Sequence, residues 1–215
     1  MVNSVATRLS SLAMTTSIVQ MYNTMFNSVA TRLSSLAMTT SSTSPIPEHL
    51  LLIFPFPKPT ALLNALSTRH PYLKITYVEL TRDCTKDLTN QPQVPDSLFA
   101  DATILVTLFS FPSTPALAKN LKFIHLISTG SNQVQNKRIW KETDVVITTN
   151  SGIHSPMISE WVVLQMLTHS HKQKLLLEWQ KEHFWGPHAA VQERSDYVGQ
   201  RIGVLGYGSI GRQGL

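Results

Sequence analysis

The sequence has one cysteine, no long apolar run, and no acidic residue before Glu48. Because Cys84 has no second cysteine to pair with, an internal disulfide framework is excluded, and a reducing cytoplasmic compartment is expected. We interpret Cys84 as a packing residue. The longest apolar runs, LLIFPFP and ATILVTLF, are far shorter than the ~18 residues of a membrane-spanning helix. We therefore expect a soluble protein with no membrane partner.

Strong charge of either sign is also absent. The chain of 215 residues carries 18 Lys and Arg against 13 Asp and Glu, a formal net charge of +5. Apart from residues 169–174 the basic side chains are scattered, so no nucleic-acid partner is expected and a solvated surface is favoured. With 42% hydrophobic residues, the composition predicts folding, as one large domain or two small ones.

The acid-free front end contains NSVATRLSSLAMTTS at residues 3–17 and again, letter for letter, at residues 27–41. Structural repeats need at least three diverged units, so two identical copies indicate a recent duplication or a gene-model error. Ser and Thr make up 18 of the first 44 residues, a composition also typical of a mitochondrial leader. We assign residues 1–47 to a disordered extension, with a cleaved leader and a mitochondrial location as the alternative.

From Leu50 onward, short apolar runs alternate with amphipathic stretches. A helix is predicted at 59–70, with Pro59 in its first turn. Strands that lack polar alternation and are followed by helical segments indicate a parallel sheet covered on both faces. We therefore predict an α/β domain at residues 48–153, whose five parallel strands are 50–55, 73–80, 101–109, 121–128 and 144–150.

A long apolar helix is predicted next, at 155–180, with Ser155 as its cap and Pro156 at its first position. Because its start is apolar around most of the circumference, we expect it to be buried between two bodies. Residues 154–185 are assigned as this interdomain helix region. After the Gly-Pro break, a sixth strand at 201–206 opens a second unit, assigned to 186–215.

Three glycines follow that sixth strand. Gly206, Gly208 and Gly211 have the G-x-G-x-x-G spacing, in which the first makes a tight turn and the second lets backbone approach a pyrophosphate. The third lets the following helix pack on the strand, and the helix N-terminus supplies free N–H donors. The local pattern alone leaves nucleotide binding and a structural glycine-rich turn equally open.

Three blocks in order resemble the D-isomer-specific 2-hydroxyacid dehydrogenases: LKFIHLISTGSNQV (121–134), TTNSGIHSPMISEWVVLQML (148–167) and VGQRIGVLGYGSIGRQ (198–213). The resemblance spans about residues 48–213, and SGIHSPMISEW is similar to a fungal branch. It implies a flavodoxin-like substrate domain, followed by the first strand and turn of a truncated Rossmann domain. It also implies an oxidoreductase that uses NAD or NADP to act on the CH–OH group of D-2-hydroxy acids, the reverse reaction being 2-keto acid reduction.

The same resemblance implies the site residues. Ser128, Thr129 and Gly130 correspond to a loop whose backbone amides hold the substrate carboxylate, and Thr129 also contacts the cofactor. An ordinary strand-to-helix turn is the alternative, and Ser131-Asn132 departs from the commoner Val-Asp. The cofactor pyrophosphate is expected on five further residues, namely Gly206, Gly208, Ser209, Ile210 and Gly211.

Two other polar residues are interpreted as structural. Glu160 matches the family's Glu near the start of the interdomain helix, where the helix dipole favours an acidic side chain. His154 is expected to make a helix-entry hydrogen bond rather than to act as a base, since the family's catalytic His lies further on.

No catalytic residue and no metal ligand is assigned. The family's Arg, Glu and His follow the fingerprint, in a segment that this sequence does not contain. We therefore expect a fragment with no turnover alone and weak or no cofactor binding, whose full-length relatives take a small 2-hydroxy or 2-keto acid. The alternatives are a truncated gene model, or a non-catalytic pseudoenzyme or oligomerisation partner that pairs with another copy or a full-length paralogue.

Overall fold

The structure is a computed structural model that describes residues 31, 47–80, 94–192 and 196–214. The duplicated N-terminal segment lies outside these ranges except for Thr31, and so does Cys84. The chain divides into two compact units between Ile153 and His154.

The first unit is built on a five-stranded sheet in which every neighbouring pair is parallel. The strand order is 2-1-3-4-5, the flavodoxin-like arrangement of an open α/β sheet. The prediction of a five-stranded parallel sheet is confirmed. Its strands are β1 (Glu48–Phe54), β2 (Leu73–Glu79), β3 (Ile104–Thr107), β4 (Phe123–Leu126) and β5 (Val146–Thr149).

Short helical segments connect the strands of this unit. The predicted helix at 59–70 is confirmed as α1 (Thr60–Arg69), although Pro59 is its N-cap residue and not part of the first turn. The other connections contain α2 (Asn132–Gln135), α3 (Arg138–Lys141) and the 3-10 turns Asp96–Phe99 and Pro115–Ala118.

Both faces of the sheet are covered, which explains why its strands lack polar alternation. Because successive side chains point to opposite faces, Leu50 and Leu52 of β1 join one core cluster with Leu63 and Leu66 of α1. The opposite cluster contains Leu51, Ile53, Phe99, Leu105, Ile124 and Leu126. All four residues of β3 and of β4 are buried.

The second unit contains α4 (Ser155–Ser170), α5 (Gln173–Lys181), a 3-10 turn at His188–Val191 and the short α6 (Ser209–Gln213). The single helix predicted at 155–180 is therefore wrong. The helix is interrupted at Lys172, because the φ of 52° at this residue is left-handed and cannot continue a right-handed α-helix. Within the described ranges, no helix has the length and apolar character needed to cross a membrane.

The entry to α4 also differs from its prediction. Ser155 is the first helical residue and not the cap, because the preceding His154 takes the N-cap position. The His154 carbonyl accepts a hydrogen bond of 2.9 Å from the Ile158 N–H, and no side-chain cap bond forms. The buried Ser155 hydroxyl has no hydrogen-bond partner within the described residues.

The expectation that the start of α4 is buried between two bodies stays a prediction, but large apolar side chains of this helix are exposed in the structure. Trp161 is 59% exposed and Leu164 is 54% exposed, whereas Ser155 and Ser159 are buried. Small side chains allow close approach of neighbouring backbone, so the serine face of α4 packs inward. The Ser159 hydroxyl donates to the Ile210 carbonyl at 3.3 Å, which joins α4 to α6.

The predicted sixth strand at 201–206 does not form. Residues 201–204 have no regular secondary structure, and no other described strand pairs with them. A strand exists only when its backbone N–H and C=O groups bond to a neighbour. The apolar run therefore indicates a segment that favours a β-strand, but it does not indicate a neighbouring strand that would pair with it.

Candidate functional site

The loop Ser128–Gly130 follows β4 at the carboxyl end of the parallel strands, where open α/β sheets bind ligands. The Ser128 hydroxyl donates to the Gly130 carbonyl at 2.7 Å, and the Gln133 side-chain amide donates to the Ser128 hydroxyl. From the neighbouring strand, the Asn150 N–H donates to the Ser128 carbonyl at 2.9 Å. These bonds fix the first residue of the loop.

The next two residues of the loop face solvent. Thr129 and Gly130 are exposed, and a Cβ added at Gly130 would have no atom within 4 Å. Packing therefore does not require glycine at this position. The backbone here is open to a molecule that approaches it from solvent.

Two further polar groups lie just beyond the carboxyl ends of β3 and β5. The side-chain amide of Asn150 is completely buried, and the Ser110 hydroxyl is nearly so; neither makes a hydrogen bond within the described residues. The Ser110 N–H donates to the buried Thr107 hydroxyl at 3.1 Å. A buried amide without a partner costs free energy, so these groups can bond to a water molecule or a ligand. The sequence signal for Asn150 was a polar residue at the end of the fifth predicted strand, and it was missed.

His125 lies within β4 and is the most deeply buried of the three buried histidines of this unit, the others being His49 and His70. It is 1% exposed, and burial lowers the pKa of its imidazole from 6.5 to about 4. Its Nδ1 atom is 2.9 Å from the Thr148 hydroxyl of β5. The ring is therefore neutral at physiological pH and is sealed from solvent, which excludes it as a proton donor to a bound substrate.

In the second unit the three glycines of the fingerprint have three different geometries. Gly206 has a φ of +99°, which side-chain-bearing residues rarely adopt. A Cβ on Gly208 would meet nothing within 4 Å, so that position is open. A Cβ on Gly211 would lie 2.3 Å from the Gly206 carbonyl oxygen, which forbids a side chain there. A tight turn, an open backbone and a close helix contact follow one another in that order.

The helix that follows this turn is short. Ser209 and Ile210 are the first residues of α6, which has five residues and Gly208 as its N-cap. A helix of five residues has only a small dipole. An anion bound here would therefore be held mainly by the backbone N–H groups of the glycine turn.

Within the residues that the structure describes, the side chains of His154 and Glu160 make no hydrogen bond and no ion pair. His154 is exposed at the entry of α4 and contributes its carbonyl to the first turn. Glu160 is the sixth residue of α4, beyond the first turn, and is exposed. Because the helix-dipole effect fades within one turn, the proposed dipole contribution of Glu160 is small.

An apolar cavity of about 310 Å³ lies within the second unit. Val162, Val163, Met166 and Leu167 of α4 form one wall, and the opposite wall includes Tyr197, Ile202, Val204 and Ile210. Within the ranges that the structure describes, no group of three or more His, Cys, Asp or Glu side chains could hold a metal ion.

No protein-family model and no curated protein matches the sequence. Among solved structures, the chain is similar to a D-isomer specific 2-hydroxyacid dehydrogenase from Xanthobacter autotrophicus Py2 in complex with NADPH and MES. Identity is 18%, the match covers 79% of this chain and 49% of that one, and the TM-score is 0.52. It is also similar to a phosphoglycerate oxidoreductase from Rhizobium etli, with 13% identity, coverage of 79% and 51%, and a TM-score of 0.50.

These matches show the fold: a flavodoxin-like α/β sheet shared with D-isomer specific 2-hydroxyacid dehydrogenases at low identity. The chain spans about half the length of the solved structures that it matches. The residue assignments in the loop and in the glycine turn, and the fungal branch, remain predictions.

Proposed function

We propose that this chain carries the substrate loop and the cofactor turn of an NAD(P)-dependent oxidoreductase that acts on D-2-hydroxy acids. The observation that carries the proposal is the ordered geometry of Gly206, Gly208 and Gly211. Each glycine meets a different requirement of a dinucleotide turn, and a merely flexible glycine-rich loop has no reason to combine a positive φ, an open position and a forbidden Cβ.

The residues present fit the cofactor at its pyrophosphate. The open backbone at Gly208 admits close approach, and the N–H groups of Ser209 and Ile210 follow at the start of α6. When bound, the nicotinamide supplies the hydride acceptor for the hydroxy acid or the hydride donor for the keto acid. The glycine turn binds and orients the cofactor, and it transfers no proton.

The substrate half of the proposal rests on the loop after β4. Thr129 and Gly130 are exposed, and their backbone N–H groups make no hydrogen bond within the described residues. Three hydrogen bonds restrain the preceding Ser128. A carboxylate binds such preorganised donors without the cost of ordering them. We assign no proton donor to this chain, so we expect no turnover from it alone.

Cofactor binding is tested by saturation-transfer NMR of the purified chain with NADH and with NADPH. We expect weak transfer to the cofactor from wild type and a loss of transfer in Gly208→Val, because the new side chain fills the open position. Gly203→Val, which adds the same side chain at another glycine with nothing within 4 Å, is the matched control. Equal transfer from wild type and from Gly208→Val would contradict the proposal.

Turnover is tested separately. The chain is incubated with NADH or NADPH and glyoxylate, hydroxypyruvate or pyruvate, and absorbance of the reduced cofactor is followed. The expectation that the chain alone is inactive would be refuted by cofactor oxidation that is faster than in the absence of enzyme and that is lost in Gly208→Val.

A second candidate function is that of a non-catalytic partner, which pairs through α4 with a full-length paralogue or another copy. The exposed apolar side chains of Trp161 and Leu164 favour it. Light scattering after size-exclusion chromatography tests this idea for the chain alone. Co-purification with a full-length paralogue, lost in Trp161→Glu, tests the mixed pair.

A further inference from the structure

A chain of side-chain hydrogen bonds sets the orientation of one peptide in the loop after β4. The Gln133 side-chain amide donates to the Ser128 hydroxyl, and that hydroxyl donates to the Gly130 carbonyl at 2.7 Å. The direction of the second bond is fixed, because a carbonyl oxygen only accepts hydrogen bonds. Ser128 and Gln133 are half-buried, whereas Gly130 is exposed. The Gly130 carbonyl is therefore turned back toward the protein.

The same bond sets the direction of the next N–H group. The C=O and the N–H of a planar trans peptide point in opposite directions. The Ser131 N–H therefore points away from the Ser128 hydroxyl, and it makes no backbone hydrogen bond within the described residues. The Ser128 carbonyl is likewise held by the Asn150 N–H at 2.9 Å, which directs the Thr129 N–H away from β5. Two N–H groups of the loop are thus aimed by bonds to the carbonyls that precede them.

We propose that Ser128 and Gln133 are positioning residues, whose side chains hold the Gly130–Ser131 peptide so that the Ser131 N–H donates to the substrate carboxylate beside the Thr129 N–H. This role rests on the proposed function, which supplies the 2-hydroxy or 2-keto acid as the ligand of the loop. It adds one donor, the Ser131 N–H, to that site. Neither side chain has to touch the ligand.

A peptide that is not held at this position would work against an anion. Without the Ser128 hydroxyl, the flexible backbone of Gly130 would let the peptide rotate and turn its carbonyl oxygen toward the ligand. That oxygen repels a carboxylate, and turning the peptide back on binding costs affinity. The Ser128 bond fixes the peptide before the ligand arrives, and the Gln133 amide strengthens that bond because hydrogen bonds in a chain polarise one another.

Removal of the two side chains tests this role by NMR. Ser128→Ala removes both bonds, and Gln133→Met removes only the amide donor at nearly equal side-chain size. Gln135→Met is the matched control, because Gln135 is also in α2 but its side-chain amide donates to the Ser131 hydroxyl at 3.2 Å. In the ligand-free chain, the carbonyl carbon signal of Gly130 should move upfield in Ser128→Ala and in Gln133→Met, since its hydrogen bond is lost or weakened. It should not move in the control.

Pyruvate is the probe for binding, and methyl pyruvate, which has no carboxylate, is the control ligand. We expect pyruvate to shift the amide signals of Thr129 and Ser131 in wild type, and methyl pyruvate to shift neither. Ser128→Ala should weaken pyruvate binding by about 3- to 10-fold, the effect of one hydrogen bond. Gln133→Met should weaken it by less, and Gln135→Met should bind pyruvate as wild type does.

The possible results separate this role from the proposed function. If pyruvate binds equally to wild type, Ser128→Ala and Gln133→Met, the substrate site stands and the positioning role is overturned. An unchanged Gly130 carbonyl carbon in Ser128→Ala also overturns it, without any ligand. So does a Gln135→Met variant that weakens binding as much as Gln133→Met, since that result shows a general effect of α2.

A wild-type loop whose amide signals do not respond to pyruvate contradicts the substrate half of the proposed function, and the Ser131 donor with it. Circular dichroism and urea unfolding of each variant show that a change in binding does not come from a loss of folding.

Discussion

At the scale of single residues, Gly211 and Gly208 differ sharply in what they tolerate. A Cβ at Gly211 would lie 2.3 Å from the Gly206 carbonyl oxygen and 3.3 Å from a Val204 methyl carbon, whereas Gly208 is unobstructed. We expect Gly211→Ala to destabilise the turn by about 1–3 kcal/mol through overpacking. Gly208→Ala should change stability by less than about 0.5 kcal/mol. Amide exchange at residues 209–213 measures both; equal effects of the two substitutions would contradict the observed geometry.

His125 makes stability depend on pH. Its folded-state pKa of about 4 lies below its ordinary value of 6.5, so the unfolded chain binds more protons between these values. The contribution is fully present above pH 6.5 and is lost as the pH falls toward 4, by about 3 kcal/mol in total. Urea unfolding at pH 7.5 and at pH 5 should show part of this loss in wild type, about 2 kcal/mol.

His125→Gln is the control for that measurement, because glutamine keeps a polar group near the Thr148 hydroxyl but does not titrate. Burial also lowers the pKa values of His49 and His70, and their contributions are the same in both proteins. The variant should lose less stability than wild type over the same pH range. Parallel losses would show that His125 is not the source.

Only some residues of the candidate site could be predicted from the sequence. The turn glycines could be read from spacing, because Gly206 and Gly211 meet backbone requirements that side-chain-bearing residues do not meet, and Gly208 leaves the backbone open. The unpartnered amide of Asn150 and the depressed pKa of His125 could not, because burial depends on which distant segments cover a position. The left-handed Lys172 is similar, since lysine carries no conformational signal for that backbone.

At the scale of elements, the central strand β3 should carry more stability than the edge strand β5. Leu105 of β3 is completely buried in the second core cluster, whereas Val146 of β5 is 46% exposed. We expect Leu105→Ala to cost about 2–5 kcal/mol, through lost burial and the cavity left behind. Val146→Ala should cost less than about 1 kcal/mol. Denaturant unfolding measures both, and similar costs would contradict the strand order.

The elements also show why the first unit was easier to predict. Buried runs such as LLLIF form strands because both faces of the sheet remove their side chains from water, and the sequence carries that signal locally. The run RIGVLG carries the same signal, yet residues 201–204 have no hydrogen-bonded neighbour among the described residues and form no strand. Composition predicts that a segment favours a sheet, but pairing is a property of two segments.

At the scale of the whole molecule, the two units should differ in protection against hydrogen exchange. Nearly all buried hydrophobic side chains lie in the first unit, so its central strands should open only with global unfolding. Residues 201–207, which make no backbone hydrogen bond within the described ranges, should exchange quickly. Mass spectrometry of the exchanged peptides measures this, and slow exchange at 201–207 would contradict the absence of these hydrogen bonds.

The function proposed for the whole chain predicts two binding positions on one polypeptide. One is the exposed loop after β4, and the other is the glycine turn before α6. Binding at either position relies on backbone N–H groups and not on a helix dipole or a titrating side chain. Both positions should therefore be detectable in binding experiments without an activity assay.

The most direct test is an amide NMR titration of the 215-residue chain with NADH and, separately, with glyoxylate. We predict that NADH shifts the amide signals of residues 206–211 and that glyoxylate shifts those of Thr129 and Gly130. Gly208→Val should abolish the NADH shifts and leave the glyoxylate shifts intact. Unchanged spectra, or NADH shifts that avoid the glycine turn, would contradict the account.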